Sequence, residues 1–190
     1  MAVLPRARRF SVDEFERMVD ARVFAPDDRL ELIEGEILEM TPIGDPHASV
    51  VDRLTAFLVT RLAGRAIVRV QGPVRFRALR SRPQPDLALL EPRPDYYASG
   101  APGAGEIFLL VEVMDTSVEY DRRRKAPLYA RAGVSEVWLV DIPAGAVEVH
   151  REPGAAGYRD VRTLRRGETL APLAFPDLTL GVGDVLGEAR

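Results

Sequence analysis

The sequence predicts an α/β protein, an α+β arrangement in which a mixed sheet is flanked by helices. Three observations carry that expectation. Between His47 and Leu62 the apolar residues Val50, Val51, Leu54, Phe57, Leu58 and Leu62 recur at helical spacing. Ile107 to Met114 is an apolar run continuous enough to be a central strand covered on both faces. The segments then follow as hairpin, helix, three strands, helix, strand and further strands, the order of a sheet with helices packed against it.

The elements follow in chain order. Ser11 and Glu14 stand at capping-box spacing and predict a short helix over Val12 to Val19. After a Pro26-Asp27-Asp28 loop, Leu30 to Met40 reads as a hairpin with Glu34-Gly35 as its two-residue turn. That register pairs Ile33 with Glu36 and Glu31 with Leu38, so Glu31 and Glu36 share a face. A loop from Thr41 to Pro46 leads into the helix from His47 to Leu62, which Gly64 stops. Strands are expected at Ala66–Val70, Val74–Phe76 and Asp86–Leu90, the last opened by Pro85. The Pro- and Gly-rich stretch from Glu91 to Gly105 is a loop with a helical turn near Tyr96. Arg123 to Ala132 reads as a helix ended by Gly133, and it tolerates Pro127 if it begins near Arg124. Val137–Val140, with the only tryptophan at Trp138, is a core strand. Strands at Ala146–His150 and Tyr158–Val161 and a Gly/Pro-punctuated tail complete the chain.

Composition narrows the function. The 190 residues suit one domain, 1–190, and 46% hydrophobic content is globular rather than disordered. The absence of cysteine excludes a disulfide framework, a thiolate zinc site and a cysteine nucleophile. Arg6, Arg8 and Arg9 without an apolar core segment are not expected to form a secretory signal. The run Ile107 to Val111 is too short to span a bilayer, so the expectation is a cytoplasmic protein with no membrane partner. A net charge of −3 and a pI near 5.5 make the whole molecule no obvious nucleic-acid binder, despite arginine clusters at 75–82 and 122–124. Among 26 basic residues only one, Lys125, is lysine. Lysine is a compact point charge whose pKa responds to burial, whereas guanidinium is planar and permanently charged.

The chemistry-bearing candidates are acidic. Glu112 lies in a run that reads as buried, where a carboxylate is costly unless paired or metal-bound. Asp86 opens a neighbouring strand. Two carboxylates from adjacent strands suit Mg²⁺ or Mn²⁺, which take hard oxygen ligands and keep several waters. Lys125 could orient a metal-activated water or stabilise charge on a phosphate. Glu31 and Glu36 could add a carboxylate from the hairpin, against the plainer reading of a solvated face. His47 could be a general base, against that of a polar helix start. Asp121 and Lys125 could form no more than an i,i+4 ion pair. Tyr129 and Trp138 read as core. With only His47 and His150, a histidine-rich metal site is excluded. There is no phosphate-binding Gly-rich loop, no serine-triad order and no dinucleotide fingerprint.

Taken in order, several motifs resemble the Uma family of restriction-endonuclease-like proteins: Glu31-Leu32-Ile33-Glu34-Gly35-Glu36, His47 with Leu54, Gln71-Gly72-Pro73, Gln84-Pro85-Asp86 and Val111 to Asp121. Lys125, Tyr129-Ala130, Gly133-Val134 and Val137 to Asp141 continue the likeness. It spans about residues 30–186. It implies a restriction-endonuclease-like core of the PD-(D/E)XK superfamily with an N-terminal hairpin and extra C-terminal strands. Pro85-Asp86 matches the first motif and Glu112-Val113-Met114 the second. The superfamily places its lysine two residues after the second acid, where this chain has Met114, so Lys125 would have to reach that space from the following helix. The implied activity is metal-dependent hydrolysis of DNA phosphodiester bonds, with Asp86, Glu112 and Lys125 catalytic and Asp86 and Glu112 on the metal. A homodimer addressing both strands is a family-level expectation. The alternative is a catalytically inactive nuclease-fold protein that binds nucleic acid or a protein partner.

Overall fold

The computed structural model describes residues 7–40 and 42–187. Arg6 of the first basic cluster and Thr41 of the loop before the long helix lie outside them. Helix α1 (Val12–Asp20) opens on the expected capping box: the Ser11 hydroxyl accepts the Glu14 N–H, and the Glu14 carboxylate accepts the Ser11 N–H at 2.9 Å. Val12 and Phe15 bury against Leu32 of strand β1 (Leu30–Ile33). Strands β1 and β2 (Glu36–Glu39) form the predicted hairpin, with Ile33 opposite Glu36 and Glu31 opposite Leu38.

Gly35, in the turn, has φ +83°. A Cβ there would lie 2.8 Å from the Arg9 Cβ and 3.0 Å from the Phe10 carbonyl oxygen. The glycine also docks the hairpin, accepting the Phe10 N–H at 2.9 Å and donating to the Arg80 carbonyl at 2.8 Å. Gly35→Ala is therefore expected to cost about 1–3 kcal/mol of stability. Urea denaturation reads this directly, and an unchanged midpoint would mean that the turn relaxes without loss.

Helix α2 (Asp45–Leu62) begins two residues before the expected start, because Pro46 sits in the first turn, where a missing N–H costs nothing. The main sheet has the order β3-β4-β5-β6-β7-β8, with β3 (Ile67–Val70), β4 (Leu87–Leu90), β5 (Ile107–Met114), β6 (Glu136–Asp141), β7 (Ala146–Gly154) and β8 (Gly157–Arg165). All neighbours are antiparallel except β5 and β6. On one face α2 and α5 (Val182–Leu186) pack over Leu87, Leu89, Leu109, Val111, Val113 and Trp138. On the other, Ala88, Leu90, Leu110, Met114, Val137 and Leu139 meet Ala126 and Tyr129. The central strand is covered on both faces, as its composition predicts.

Three expectations need correction. Val74–Phe76 is no strand: Val74 and Phe76 are buried, but Pro73 and Pro83 flank a tight excursion in which Phe76 bridges Ser81 and Arg80 adopts a left-handed conformation. Asp86 precedes β4 rather than opening it. The Pro127 helix does not begin near Arg124. Helical backbone runs from α3 (Val118–Tyr120) through a π-helical turn (Asp121–Lys125) into α4 (Ala126–Ala132). In that turn the Ala126 N–H bonds the Asp121 carbonyl, five residues back, and Pro127, which has no N–H to donate, follows directly on this wider turn. A short ribbon, β9 (Thr169–Leu170) with β10 (Leu180–Gly181), closes the tail. Among the described residues no helix is long and apolar enough to cross a membrane.

Candidate active site

Side-chain alternation places the acids. Residues 110, 112 and 114 of β5 share the face that α4 covers, so Glu112 points under the helix and is 2% exposed. Leu87 pairs with Val111, and the same register continued by one residue sets Asp86 opposite Glu112. The Asp86 carboxylate is fixed from two sides: Oδ2 accepts the Val113 N–H at 2.8 Å and lies 3.0 Å from His47 Nε2. His47, in the first turn of α2, is thus brought to the site rather than left as a solvated helix start.

Lys125 comes from the π turn. Residues 112 and 114 share a face, and Met114 packs there in the cluster containing Ala126 and Tyr129. The following helix fills the space a lysine at 114 would enter and brings its own lysine into it. The buried Lys125 Nζ is 3.0 Å from Glu31, 3.2 Å from Glu112 and 3.9 Å from Asp121. The anticipated Asp121–Lys125 pair exists, then, as the longest of three contacts. Glu31 is buried, and its Oε1 also accepts the Gln84 N–H at 2.7 Å. Glu36, two pairs nearer the turn, faces Arg9 and Arg124 at 3.0 and 3.2 Å instead. The hairpin contributes one acid, not two.

Two groups were hidden in the sequence. Tyr129, read as core, donates its hydroxyl to the second Glu112 oxygen, and Ser117 donates to Asp121. The signal for Tyr129 was the spacing Asp121, Lys125, Tyr129, which stacks one helical face at intervals of four.

Around Lys125 three carboxylates face one ammonium. Burial pushes Glu112 well above the ordinary carboxylate range, with Asp121, Asp86 and Glu31 adding repulsion that Lys125 offsets only in part. Burial likewise raises Asp121. Burial works against the charge on Lys125, but Glu112, Glu31 and Asp121 together outweigh it and hold the ammonium well above its usual value. Tyr129 is raised by burial and by Glu112, and Tyr120 by burial and Glu31, so both hydroxyls stay protonated.

These residues floor a cleft of about 630 Å³ whose lining includes Glu31, His47, Asp86, Glu112, Asp121 and Lys125. Among the described residues no three His, Asp or Glu side chains gather in a geometry ready for a metal ion. The donor set nonetheless suits a hard cation in kind and charge. Mg²⁺ and Mn²⁺ need only one or two carboxylates, with water completing the shell, and the buried carboxylates outnumber the buried ammonium.

The family model named Uma2, with the description "Putative restriction endonuclease", matches residues 12–183. A crystal structure described as a putative nuclease belonging to DUF820, from Anabaena variabilis, is 16% identical, with a TM-score of 0.72. The alignment covers 93% of this chain and 97% of that one, so the two share a fold. No curated protein matches the sequence.

Proposed function

Because the chain belongs to the Uma2 family, we propose that it is an endonuclease that hydrolyses DNA phosphodiester bonds with Mg²⁺ or Mn²⁺. Asp86 and Glu112 would hold the cation, and Lys125 would stand beside the scissile phosphate. One observation supports this most: the only lysine in the chain is buried 3.2 Å from Glu112, at the floor of a cleft with carboxylates in excess. When bound, the cation would polarise the phosphoryl group and lower the pKa of a water. The protein's own groups do the positioning. The Val113 amide and His47 hold Asp86, and Tyr129 holds Glu112, so neither carboxylate has to be ordered during reaction. Lys125 is held charged, which suits it to stabilise developing negative charge and unsuits it as a general base.

A second reading, a nuclease fold that binds without cutting, draws on the Lys125 ammonium already neutralising part of the acid cluster and on the lack of a ready three-ligand group among the described residues. One experiment separates the two. Purified protein is incubated with plasmid and single-stranded DNA under Mg²⁺, Mn²⁺ or EDTA, beside Glu112→Gln. The nuclease reading expects metal-dependent cutting by the wild type alone. Cutting retained by Glu112→Gln, or none by either protein, would overturn it.

A further inference from the structure

Two of the four buried side-chain polar atoms without a hydrogen-bond partner among the described residues, His47 Nδ1 and Tyr120 Oη, belong to the cleft lining. His47 is already engaged through Nε2 with Asp86, whereas the Tyr120 hydroxyl has no bond among the described residues. The contrast with Tyr129 is direct: both phenols lie at the acid cluster, but Tyr129 is spent on Glu112 and Tyr120 on no described residue. A buried unpaired donor is unfavourable unless a ligand or a water completes it.

A second observation concerns charge. Of the two permanently basic side chains lining the cleft, Lys125 is held by three carboxylates, while Arg29 has none within 4.0 Å among the described residues. Arg75, Arg93, Arg122 and Arg151, elsewhere in the fold, are each tied to an acid. Both unspent groups are donors, one neutral and one cationic, so the ligand that satisfies both is an anion with several acceptor oxygens.

We propose that Tyr120 and Arg29 are the phosphate-holding groups of this cleft, Tyr120 donating to an oxygen of the phosphate at the acid cluster and Arg29 pairing with a phosphate of the same strand. The assignment rests on the nuclease reading and goes beyond it, because it names the groups that grip the nucleic-acid backbone rather than those that cut it. Glu39 and Asp115 also line the cleft, so a polyanion entering it has few other cations to meet.

The test uses Tyr120→Phe and Arg29→Gln. Binding of a fluorescein-labelled oligonucleotide is followed by anisotropy in Ca²⁺ across a salt series, and cutting is followed in Mn²⁺. Each variant should bind about tenfold more weakly, and Arg29→Gln should reduce the slope of log K against log salt by about one. Tyr120→Phe should melt at or above the wild-type temperature, since it deletes an unpaired buried hydroxyl. Variants that bind and cut as the wild type does would overturn the proposal and leave Tyr120 bonded to a water only. A wild type that binds but does not cut, with binding lost in both variants, would support the phosphate grip and sink the nuclease reading. A wild type that does not bind would overturn both.

Discussion

Lys125→Met should destabilise the protein by about 3–5 kcal/mol at neutral pH, the usual cost of removing one partner from a buried charge cluster. The ammonium compensates Glu31, Glu112 and Asp121 within 3.9 Å, and methionine leaves these carboxylates facing one another. The sign with pH follows. The folded pKa of Lys125 is raised, so its contribution is fully present below the unfolded lysine value and is lost only as pH rises through the folded one. In the variant, Glu112 and Asp121 relieve their repulsion by taking up protons, so the deficit should shrink as pH falls toward 5. Lys125→Arg should lose less stability than Lys125→Met but keep little activity, because a planar fork does not replace a point charge among three carboxylates. Urea curves at two pH values, with cleavage rates, read all of this. A methionine variant with wild-type stability would mean that the acid cluster is neutral without its lysine.

How much of this was legible in the sequence differs element by element, for physical reasons. Helix α2 and strand β5 were readable because their burial is periodic or continuous, and the Ser11–Glu14 cap because it is local. The 74–76 segment was misread because burial alone resembles a strand, while its backbone N–H groups go to the separate carbonyls of Pro83, Pro102 and Ser81 rather than to one ladder partner. Lys125 stood out by composition, but what it touches did not. Glu31 reaches it from a separate two-stranded sheet, a meeting that no local pattern encodes. The helix around Pro127 was misplaced because a π turn, which sequence periodicity does not announce, lets helical backbone continue through Asp121. That continuation of helical backbone through Asp121 keeps it on the face of the lysine four residues on. Tyr129 looked like core because it is core, and its hydroxyl alone gives it a second role.

A divalent cation should raise the melting temperature of the wild type and leave Glu112→Gln unmoved. Saturation at about 100 times the dissociation constant adds roughly 2.7 kcal/mol. For a chain of this size, each kcal/mol shifts the midpoint by about 2–4 °C. In EDTA the order should reverse. Glu112 and Asp121 have folded pKa values above their unfolded ones, so the stability they contribute is fully present below the unfolded carboxylate range and is lost as pH rises through the folded values. The metal-free wild type should therefore weaken from acid toward neutral pH. Glu112→Gln, which removes the most strongly raised carboxyl and keeps an oxygen for the Tyr129 hydroxyl, should weaken less and match or exceed it at pH 8. Glu31 and Asp121 still flank Lys125 in that variant, so no buried ammonium is stranded. Melting curves at pH 5, 6.5 and 8, with EDTA or Mn²⁺, test the crossing. Equal Mn²⁺ shifts in both proteins would place the cation away from Glu112, and a Glu112→Gln protein that melts below the wild type at every pH would make Glu112 a net stabiliser without metal.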